Sequence, residues 1–248
     1  MATARAFAAV SHLPWDPAAM AVLGQRAENQ WIGVNCGIMD QLISAAGQAG
    51  HALLIDCRSL QTTPVPFPPG VAVVVLDTAT RRGLVDSAYN ERRAQCEEGA
   101  RFFGVRALRD VDADTFRQRS AGLDPTVRCR ARHVITENDR TLRAAEAMRA
   151  GNAALLGELM NQSHQSLRDD YEVSSDGLNV MVECARRHPA CYGARMTGAG
   201  FGGCAVALIR AEAADDFTHR TATAYKQQTG RAAAVYVCQA AGGAEVLT

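Results

Sequence analysis

Two carboxylates near a short turn are the first residues of this sequence that could do chemistry. Asp40 stands among small and apolar residues in the stretch Asn35–Gln41, and Glu28 precedes it by twelve positions. A partly buried carboxylate in such a turn can accept a proton from a substrate hydroxyl, and a second one can bind a metal ion. Taken singly, each residue favours a simpler interpretation. An acid is stabilised in the first turn of a helix, and Glu28 can belong to a solvated face with Arg26.

A glycine-rich stretch near the C-terminus, Gly198–Gly203, matches the dinucleotide pattern G-x-G-x-x-G. That pattern indicates a nicotinamide site only where it opens a helix after a strand. Here Cys204–Ile209 follows, which is short and apolar and predicts a strand, so we reject the nicotinamide interpretation. The stretch can still cradle an anion with its N–H groups, or it can be a tight turn that binds nothing. Physical reasoning from the sequence weighs these two alternatives about evenly.

The composition argues against several classes of protein. The 248 residues include 26 basic and 26 acidic side chains, and 48% are hydrophobic, which is enough for a sizeable core. The zero net charge predicts no nucleic-acid or membrane partner. Arg128, Arg130 and Arg132 lack interleaved aromatic residues and predict a solvated helix face rather than a nucleic-acid site. No apolar run approaches a membrane span, and Met1–Val10 lacks the apolar core of a signal peptide.

The eight cysteines are scattered along the chain. None forms a C-x-x-C pair, and no histidine stands at zinc-ligand spacing from them. This usage predicts reduced, buried thiols and a cytoplasmic protein. The sequence leaves the oligomeric state open.

Helices should flank the turn that carries Asp40. Asp16 followed by Pro17 indicates a helix start, and that helix should stop near Gly33. A second helix begins at Gly37 and ends near Gly47. These two helices would position both candidate carboxylates.

The remaining pattern predicts strands at both ends of a helical region. His51–Arg58 and Val71–Asp77 predict strands, and the prolines from Pro64 to Pro69 mark an extended connection that we take as the domain boundary. Helices are predicted over Leu84–Phe103, Arg132–Arg149, Asn152–Arg168, Asp176–Arg187 and Ala213–Gln228. Further strands are predicted over Tyr192–Thr197, Cys204–Ile209 and Ala233–Cys238. This order fits a ferredoxin-like layer with extra helices inserted.

Read together, these stretches resemble the galactokinases, which are sugar kinases of the GHMP family. The strings that carry the resemblance stand in family order over essentially the whole chain: Glu28–Asn29, Asn35–Gln41, His51–Leu60, Arg92–Glu98, Ala131–Val134, Ser166–Ser174 and Arg195–Cys204. The resemblance implies an α+β fold with two domains. Residues 1–63 would be the remnant of an N-terminal, ribosomal S5-like domain, and residues 64–248 a ferredoxin-like C-terminal domain with inserted helices.

The resemblance also implies a reaction, which is the ATP-dependent phosphorylation of galactose at its C1 hydroxyl with Mg²⁺ as cofactor. Asp40 matches the catalytic aspartate, Gly37 and Tyr89 match sugar-contacting positions, and Glu28 matches a magnesium ligand. Six residues match the third GHMP motif, beside the nucleotide phosphates: Gly198, Ala199, Gly200, Phe201, Gly202 and Gly203. Galactokinases often carry glycine at the position of Ala199, where alanine is tolerable if φ is negative.

Two family motifs precede the region that matches Met1. One supplies sugar ligands and an arginine partner for the catalytic aspartate, and the other is a Gly/Ser-rich phosphate loop with a second magnesium ligand. The residues before Trp31 contain only one glycine, Gly24, so we expect this chain to be truncated and inactive alone. The alternative is a non-catalytic regulator that responds to galactose and ATP. The intact Asp40 and Glu28 favour the enzyme, because a sensor needs no catalytic base.

Overall fold

The computed structural model describes residues 1–33, 36–80 and 85–246, without the side chains of residues 85–87. Contacts within the chain divide it into two compact units. The first contains Met1–Phe67 and the C-terminal segment that begins at Gln239, and the second contains Pro68–Cys238. The boundary predicted between residues 63 and 64 concerns the domains of the family and stays a prediction.

The described part of the first unit contains three α-helices: α1 Ala2–Val10, α2 Pro17–Arg26 and α3 Met39–Ala46. The predicted start of α2 is confirmed, because Asp16 Oδ1 accepts a hydrogen bond from Ala19 N at 3.0 Å and Pro17 takes the first helical position. The helix continues into a π-helical turn, Ala27–Ile32, which ends at Gly33 with a φ of 82°. A small core of Ala21, Ile38, Leu42 and Ala45 joins α2 to α3.

A two-stranded antiparallel sheet follows, with β1 at His51–Ile55 and β2 at Thr62–Pro66. The prediction of an extended connection is therefore wrong in its first part, since Pro64 and Pro66 lie in β2. Among the described residues β2 pairs only with β1. Proline is tolerated there because an edge strand has one side on which no N–H is needed.

The C-terminal segment packs against the middle of the first unit. Gly50 N donates a hydrogen bond to Ala240 O at 2.9 Å, and Gly243 N donates one to Gly47 O at 2.8 Å. Residues from both ends of the sequence therefore build the first unit.

The second unit contains a four-stranded sheet in the order β4–β5–β3–β6, with every neighbouring pair antiparallel. Its strands are β3 Val71–Asp77, β4 Cys191–Met196, β5 Cys204–Arg210 and β6 Ala234–Cys238. The helices are α4 Val85–Phe103, α5 Ala113–Arg119, α6 Pro125–Arg149, α7 Ala153–Asp169, α8 Asp176–Arg186 and α9 Ala214–Thr229. This strand order is ferredoxin-like, with four extra α-helices among the described residues of the first crossover, and it confirms the predicted α+β fold class.

Two helical features differ from the sequence prediction. α6 begins at Pro125, well before the predicted Arg132, because Asp124 caps it by accepting hydrogen bonds from two backbone N–H groups. α5, which Asp112 caps, was not predicted. The predicted start of α4 at Leu84 lies outside the described residues.

The main core of the second unit lies between the sheet and two helices, α8 and α9. On α7, a Cβ added at Gly157 would lie 2.2 Å from the carbonyl oxygen of Tyr192, so the helix and β4 touch backbone to backbone. Asn161 Oδ1 also accepts a hydrogen bond from Ala194 N at 3.0 Å. These contacts fix β4, the strand that leads into the glycine-rich stretch.

No helix in the described ranges is long and apolar enough to cross a membrane. All eight cysteines are free thiols. Only Cys184 is buried, while Cys57 is exposed and the rest are half-buried, so the prediction of buried thiols is wrong for most of them.

Candidate functional site

The turn that carries Asp40 folds against the end of α2 through polar side chains. Gln41 Nε2 donates a hydrogen bond to Glu28 Oε1 at 2.7 Å, and the Cys36 thiol donates one to Glu28 Oε2 at 3.4 Å. The structure therefore brings Glu28 next to the residue that follows Asp40. Asn35, the first residue of the predicted motif, lies outside the described residues.

Cys36 links this turn to Gln25 and Asn29 through hydrogen bonds of its backbone. Its N–H donates to Asn29 Oδ1 at 3.0 Å, and its carbonyl oxygen accepts from Gln25 Nε2 at 3.1 Å. Burial raises the pKa of the Cys36 thiol, and the adjacent Glu28 carboxylate raises it further. The thiol therefore stays protonated at neutral pH and can donate to that carboxylate.

Asp40 lies in the first turn of α3, where the helix dipole stabilises its charge. Its side chain is exposed, and no described residue forms a hydrogen bond or an ion pair with it. Nearby Gly37 is exposed too, and a Cβ added there would meet no atom within 4 Å. A ligand could therefore reach both the carboxylate and the backbone beside it.

The glycine-rich stretch connects β4 to β5, and much of its backbone is left-handed. The φ angle is 75° at Gly198, 87° at Gly200, 61° at Phe201 and 82° at Gly203. Ala199 is not among the residues of positive φ, so alanine fits at this position. At the start of the loop, left-handed backbone at Gly198 and Gly200 flanks ordinary backbone at Ala199. This alternation turns successive N–H groups toward one side, which is the geometry of an anion-binding nest.

Two clamps hold this loop in place. At the first, Phe201 N donates a hydrogen bond to Val173 O at 2.6 Å, and a Cβ on Gly200 would approach the same oxygen to 2.1 Å. At the second, Thr78 Oγ1 donates to Gly203 O at 2.6 Å. Both clamps act on the C-terminal half of the loop, from Gly200 to Gly203, and hold it against Val173 and Thr78.

The clamps leave several amides of the loop available. Within the described part of the chain, no hydrogen bond takes up the N–H groups of Gly198, Ala199, Gly200 or Gly202. Free N–H groups in such a loop are suited to phosphate oxygens. The geometry thus favours the anion-binding interpretation over the tight turn that binds nothing.

Two arginines support the segment between α7 and α8 that forms the first clamp. Arg92 Nε donates to Tyr171 O at 2.7 Å, and Arg130 donates to Asp170 O at 2.5 Å, close to Val173 in sequence. The prediction that Arg130 belongs to a solvated face is wrong, because its side chain is 3% exposed. Arg130 is a structural cation that holds the Asp170 carbonyl and pairs with the Glu172 carboxylate.

Tyr89, the predicted sugar contact, is half-buried on α4. It lies near Tyr171, whose pKa is raised by burial and further by Cys96 and Tyr89. Within the second unit, the segment around Tyr171 and Val173 therefore adjoins both Tyr89 and the glycine-rich loop.

The described residues offer few ligands to a magnesium ion. No group of three or more histidine, cysteine, aspartate or glutamate side chains in the described residues could hold a metal ion. Glu28 offers one carboxylate, whose two oxygens each accept one hydrogen bond and keep further acceptor capacity. Magnesium commonly takes one or two carboxylates together with substrate phosphates and water. Glu28 thus fits as a ligand to magnesium that arrives with a nucleotide, rather than to a resident ion.

Sequence reasoning missed the residues that build these arrangements. Gln41, Cys36 and Val173 were noted only as parts of longer strings, and Thr78 was not noted at all. Their partners lie far away in sequence, so no local signal could have revealed them. Asn29 was visible beside Glu28, but its contact with Cys36 was not.

Comparison with known proteins agrees with this geometry. The family models for the GHMP kinases N terminal domain and the GHMP kinases C terminal match residues 1–48 and 144–227. The solved structure of Lactococcus lactis galactokinase complexed with galactose matches with a TM-score of 0.92 and 36% identity. The match covers 98% of this chain and 64% of that one, so the chain spans less than two thirds of the length of this relative.

A more distant structure has the same fold. Streptococcus pneumoniae phosphomevalonate kinase, in complex with phosphomevalonate and AMPPNP, matches with a TM-score of 0.56 and 14% identity. That match covers 89% of this chain and 62% of the other. Both family models match in chain order, and the galactokinase structure matches 98% of this chain. The chain therefore belongs to the GHMP kinase family, with a galactokinase-like fold.

Proposed function

We propose that this chain is the larger part of a galactokinase, which transfers the γ-phosphoryl group of ATP to the C1 hydroxyl of galactose and yields galactose 1-phosphate and ADP. The observation that carries the proposal is the match along 98% of the chain to a galactokinase complexed with galactose, at 36% identity. The exposed Asp40 turn and the glycine-rich loop both lie within that match.

Asp40 is the proposed catalytic base. Phosphoryl transfer asks a protein mainly to align the reactants and to neutralise charge. As the C1 oxygen bonds to the γ-phosphorus and the bond to ADP breaks, the hydroxyl proton passes to the Asp40 carboxylate. The exposure of this carboxylate and its lack of a described partner support that role.

The glycine-rich loop is the proposed phosphate-side element. The N–H groups of Gly198, Ala199, Gly200 and Gly202 would donate to phosphate oxygens of the nucleotide. The fixed backbone supports this, because donors held in place before binding need no reorganisation when charge develops.

Glu28 is the proposed magnesium ligand. Magnesium bound with the nucleotide would neutralise charge on the phosphates. Gln41 and Cys36 hold the Glu28 carboxylate in one orientation. The side chain therefore loses less conformational freedom when it binds magnesium. Gly37 and Tyr89 are the proposed sugar contacts, and both rest on their match to the family pattern.

The test is an assay of galactose-dependent ADP release. It uses the supplemented chain, which is this chain co-expressed with the N-terminal segment of the family as a separate polypeptide. Asp40→Ala should lower kcat by orders of magnitude and leave ATP binding nearly unchanged, because the carboxylate acts on the hydroxyl being phosphorylated. Tyr89→Ala should instead raise KM for galactose more than KM for ATP. Asp139→Ala, on an exposed ion pair of α6, is the matched control.

Near-normal turnover of the Asp40 variant would refute its assignment as the base. A supplemented chain that binds galactose and ATP but releases no ADP would favour the non-catalytic regulator instead.

A further inference from the structure

A cavity of about 550 Å³ opens on the second unit, between α4, the segment Val105–Arg109 and α6. Its volume falls within the range of about 300–1,000 Å³ that is common for small-molecule sites. No residue of the Asp40 turn or of the glycine-rich loop lines it. We call it the arginine pocket after the side chains that surround it: Arg93, Arg101, Arg106 and Arg109.

The arginine pocket is strongly cationic in a chain that has no net charge. Among the described residues of its lining, only Glu97 is acidic, and it pairs with Arg93 at 3.0 Å. The described lining therefore offers no compensating acid to Arg101 and Arg106. Arg101 and Arg106 are both exposed, and the described contacts give neither side chain an acidic partner.

The floor of the pocket is apolar. Ala100 and Leu108 are at most 7% exposed and belong to a buried cluster between α4 and α6, with Val105 and Val134 packed against it. An apolar floor below a cationic rim suits a ligand that has an apolar body and an anionic group. Guanidinium groups bind phosphate through paired N–H donors, and two or more of them can neutralise a dianion.

We propose that the arginine pocket binds small organic phosphates, with the phosphate dianion on the rim arginines and an apolar or aromatic group on the floor. This site goes beyond the proposed phosphoryl transfer and does not depend on it, because none of its residues has a role in that reaction. It is a second place on the chain that takes a phosphate compound.

The test uses phenyl phosphate as the probe and the 248-residue chain as the protein, with affinity measured by calorimetric titration. Phenyl phosphate should bind saturably, while inorganic phosphate and phenol should each bind at least tenfold more weakly. The double variant R101Q/R106Q should weaken phenyl phosphate binding about tenfold or more, because it removes two charge-assisted contacts. Arg149→Gln, an exposed arginine of α6 outside the pocket, should bind like the original chain.

A second variant tests the floor without altering the charge. Ala107 lines the pocket on an extended backbone, with φ near −151°, so Ala107→Phe should fill the cavity and abolish binding. Thermal unfolding of each variant should stay close to that of the original chain. Absence of saturable binding, equal binding by the R101Q/R106Q variant, or equal affinity for inorganic phosphate would overturn the proposal. Failure of the galactose assay would leave these results untouched.

Discussion

Phe201 N–H donates a hydrogen bond of 2.6 Å to the carbonyl oxygen of Val173, which fastens the glycine-rich loop to the segment between α7 and α8. Phe201 has a φ of 61°, which is costly for a bulky residue. Its side chain packs against the main core of the second unit, and that contact offsets the backbone strain. The loop is therefore held by a strained residue that its surroundings fix in place.

Gly200→Ala should destabilise the chain. A Cβ at this position would lie 2.1 Å from Val173 O, and the φ of 87° is unfavourable for alanine. The backbone strain alone should lower the free energy of unfolding by about 1–3 kcal/mol, and displacement of the loop should add to this. Urea denaturation measures the change. Gly37→Ala is the control, because its φ is not positive and its Cβ would meet no atom. Equal stability of the two variants would contradict the described loop geometry.

Glu28→Gln should increase the magnesium concentration needed for turnover by the supplemented chain, since an amide is a poorer ligand than a carboxylate. The same change should lower the pKa of the Cys36 thiol, because the Glu28 charge is one of the causes that raise it. Residue-specific alkylation followed over a pH series measures that pKa, with the exposed Cys57 as the internal reference. An unchanged pKa of Cys36 would mean that the contact between Glu28 and Cys36 is absent in solution.

His133 should make stability depend on pH. Burial lowers its pKa to about 4, whereas a histidine in the unfolded chain titrates near 6.5. Between these values the unfolded state binds more protons, so stability is complete at neutral pH and is lost as the pH falls from about 6.5 toward about 4. The contribution is about 3 kcal/mol for a shift of this size. His164, whose pKa is also lowered to about 4 by burial, should act in the same direction.

The measurement for His133 is the free energy of unfolding at about pH 7 and about pH 4.5. His133→Gln should show a smaller loss between the two conditions than the original chain. The exposed His219 provides the control, since His219→Gln should leave the loss unchanged. If His133→Gln keeps the full pH dependence, His133 is not buried in its neutral form.

The 248-residue chain alone should show no measurable phosphorylation of galactose. The proposed groups of this chain are one base, one metal ligand and one phosphate-side loop. The resemblance assigns a second metal ligand and further phosphate and sugar contacts to motifs that the 248 residues do not contain. Alignment of reactants can account for about 7–11 kcal/mol of a catalysed barrier, and a misplacement of about 1 Å can cost ~100-fold. The assay of galactose-dependent ADP release should detect activity only when the N-terminal segment of the family is co-expressed with this chain as a separate polypeptide. Turnover by the chain alone would contradict this prediction.

Much of the fold could be predicted because its signals are local. The cap at Asp16, the glycines that end helices and the short apolar strands stand at their predicted places within a few residues. The cap at Asp112 and the Asp124–Pro125 pair carried the same kind of signal and were overlooked. The prolines of β2 misled the prediction because strand pairing, which local sequence does not encode, decides whether a missing N–H matters.

The candidate site was less predictable for a physical reason. The types of Asp40, Glu28 and the loop glycines suggested chemistry, but the groups that orient them come from distant segments. The bond between Gln41 and Glu28 and the bond between Phe201 and Val173 depend on tertiary packing. The arginine pocket likewise combines two helices and the segment between them, so its charge could not be seen as a run in the sequence.

The attachment of the C-terminal segment to the first unit has a consequence for synthesis. Gly47 and Gly50 leave the ribosome long before Ala240 and Gly243, which complete their hydrogen bonds. At about 5–20 residues per second, the delay is roughly 10–40 s. The second unit lies entirely between these segments and can fold during that interval. The first unit is therefore completed only after the second unit has been synthesised, so chaperones would meet it while its C-terminal segment is still missing.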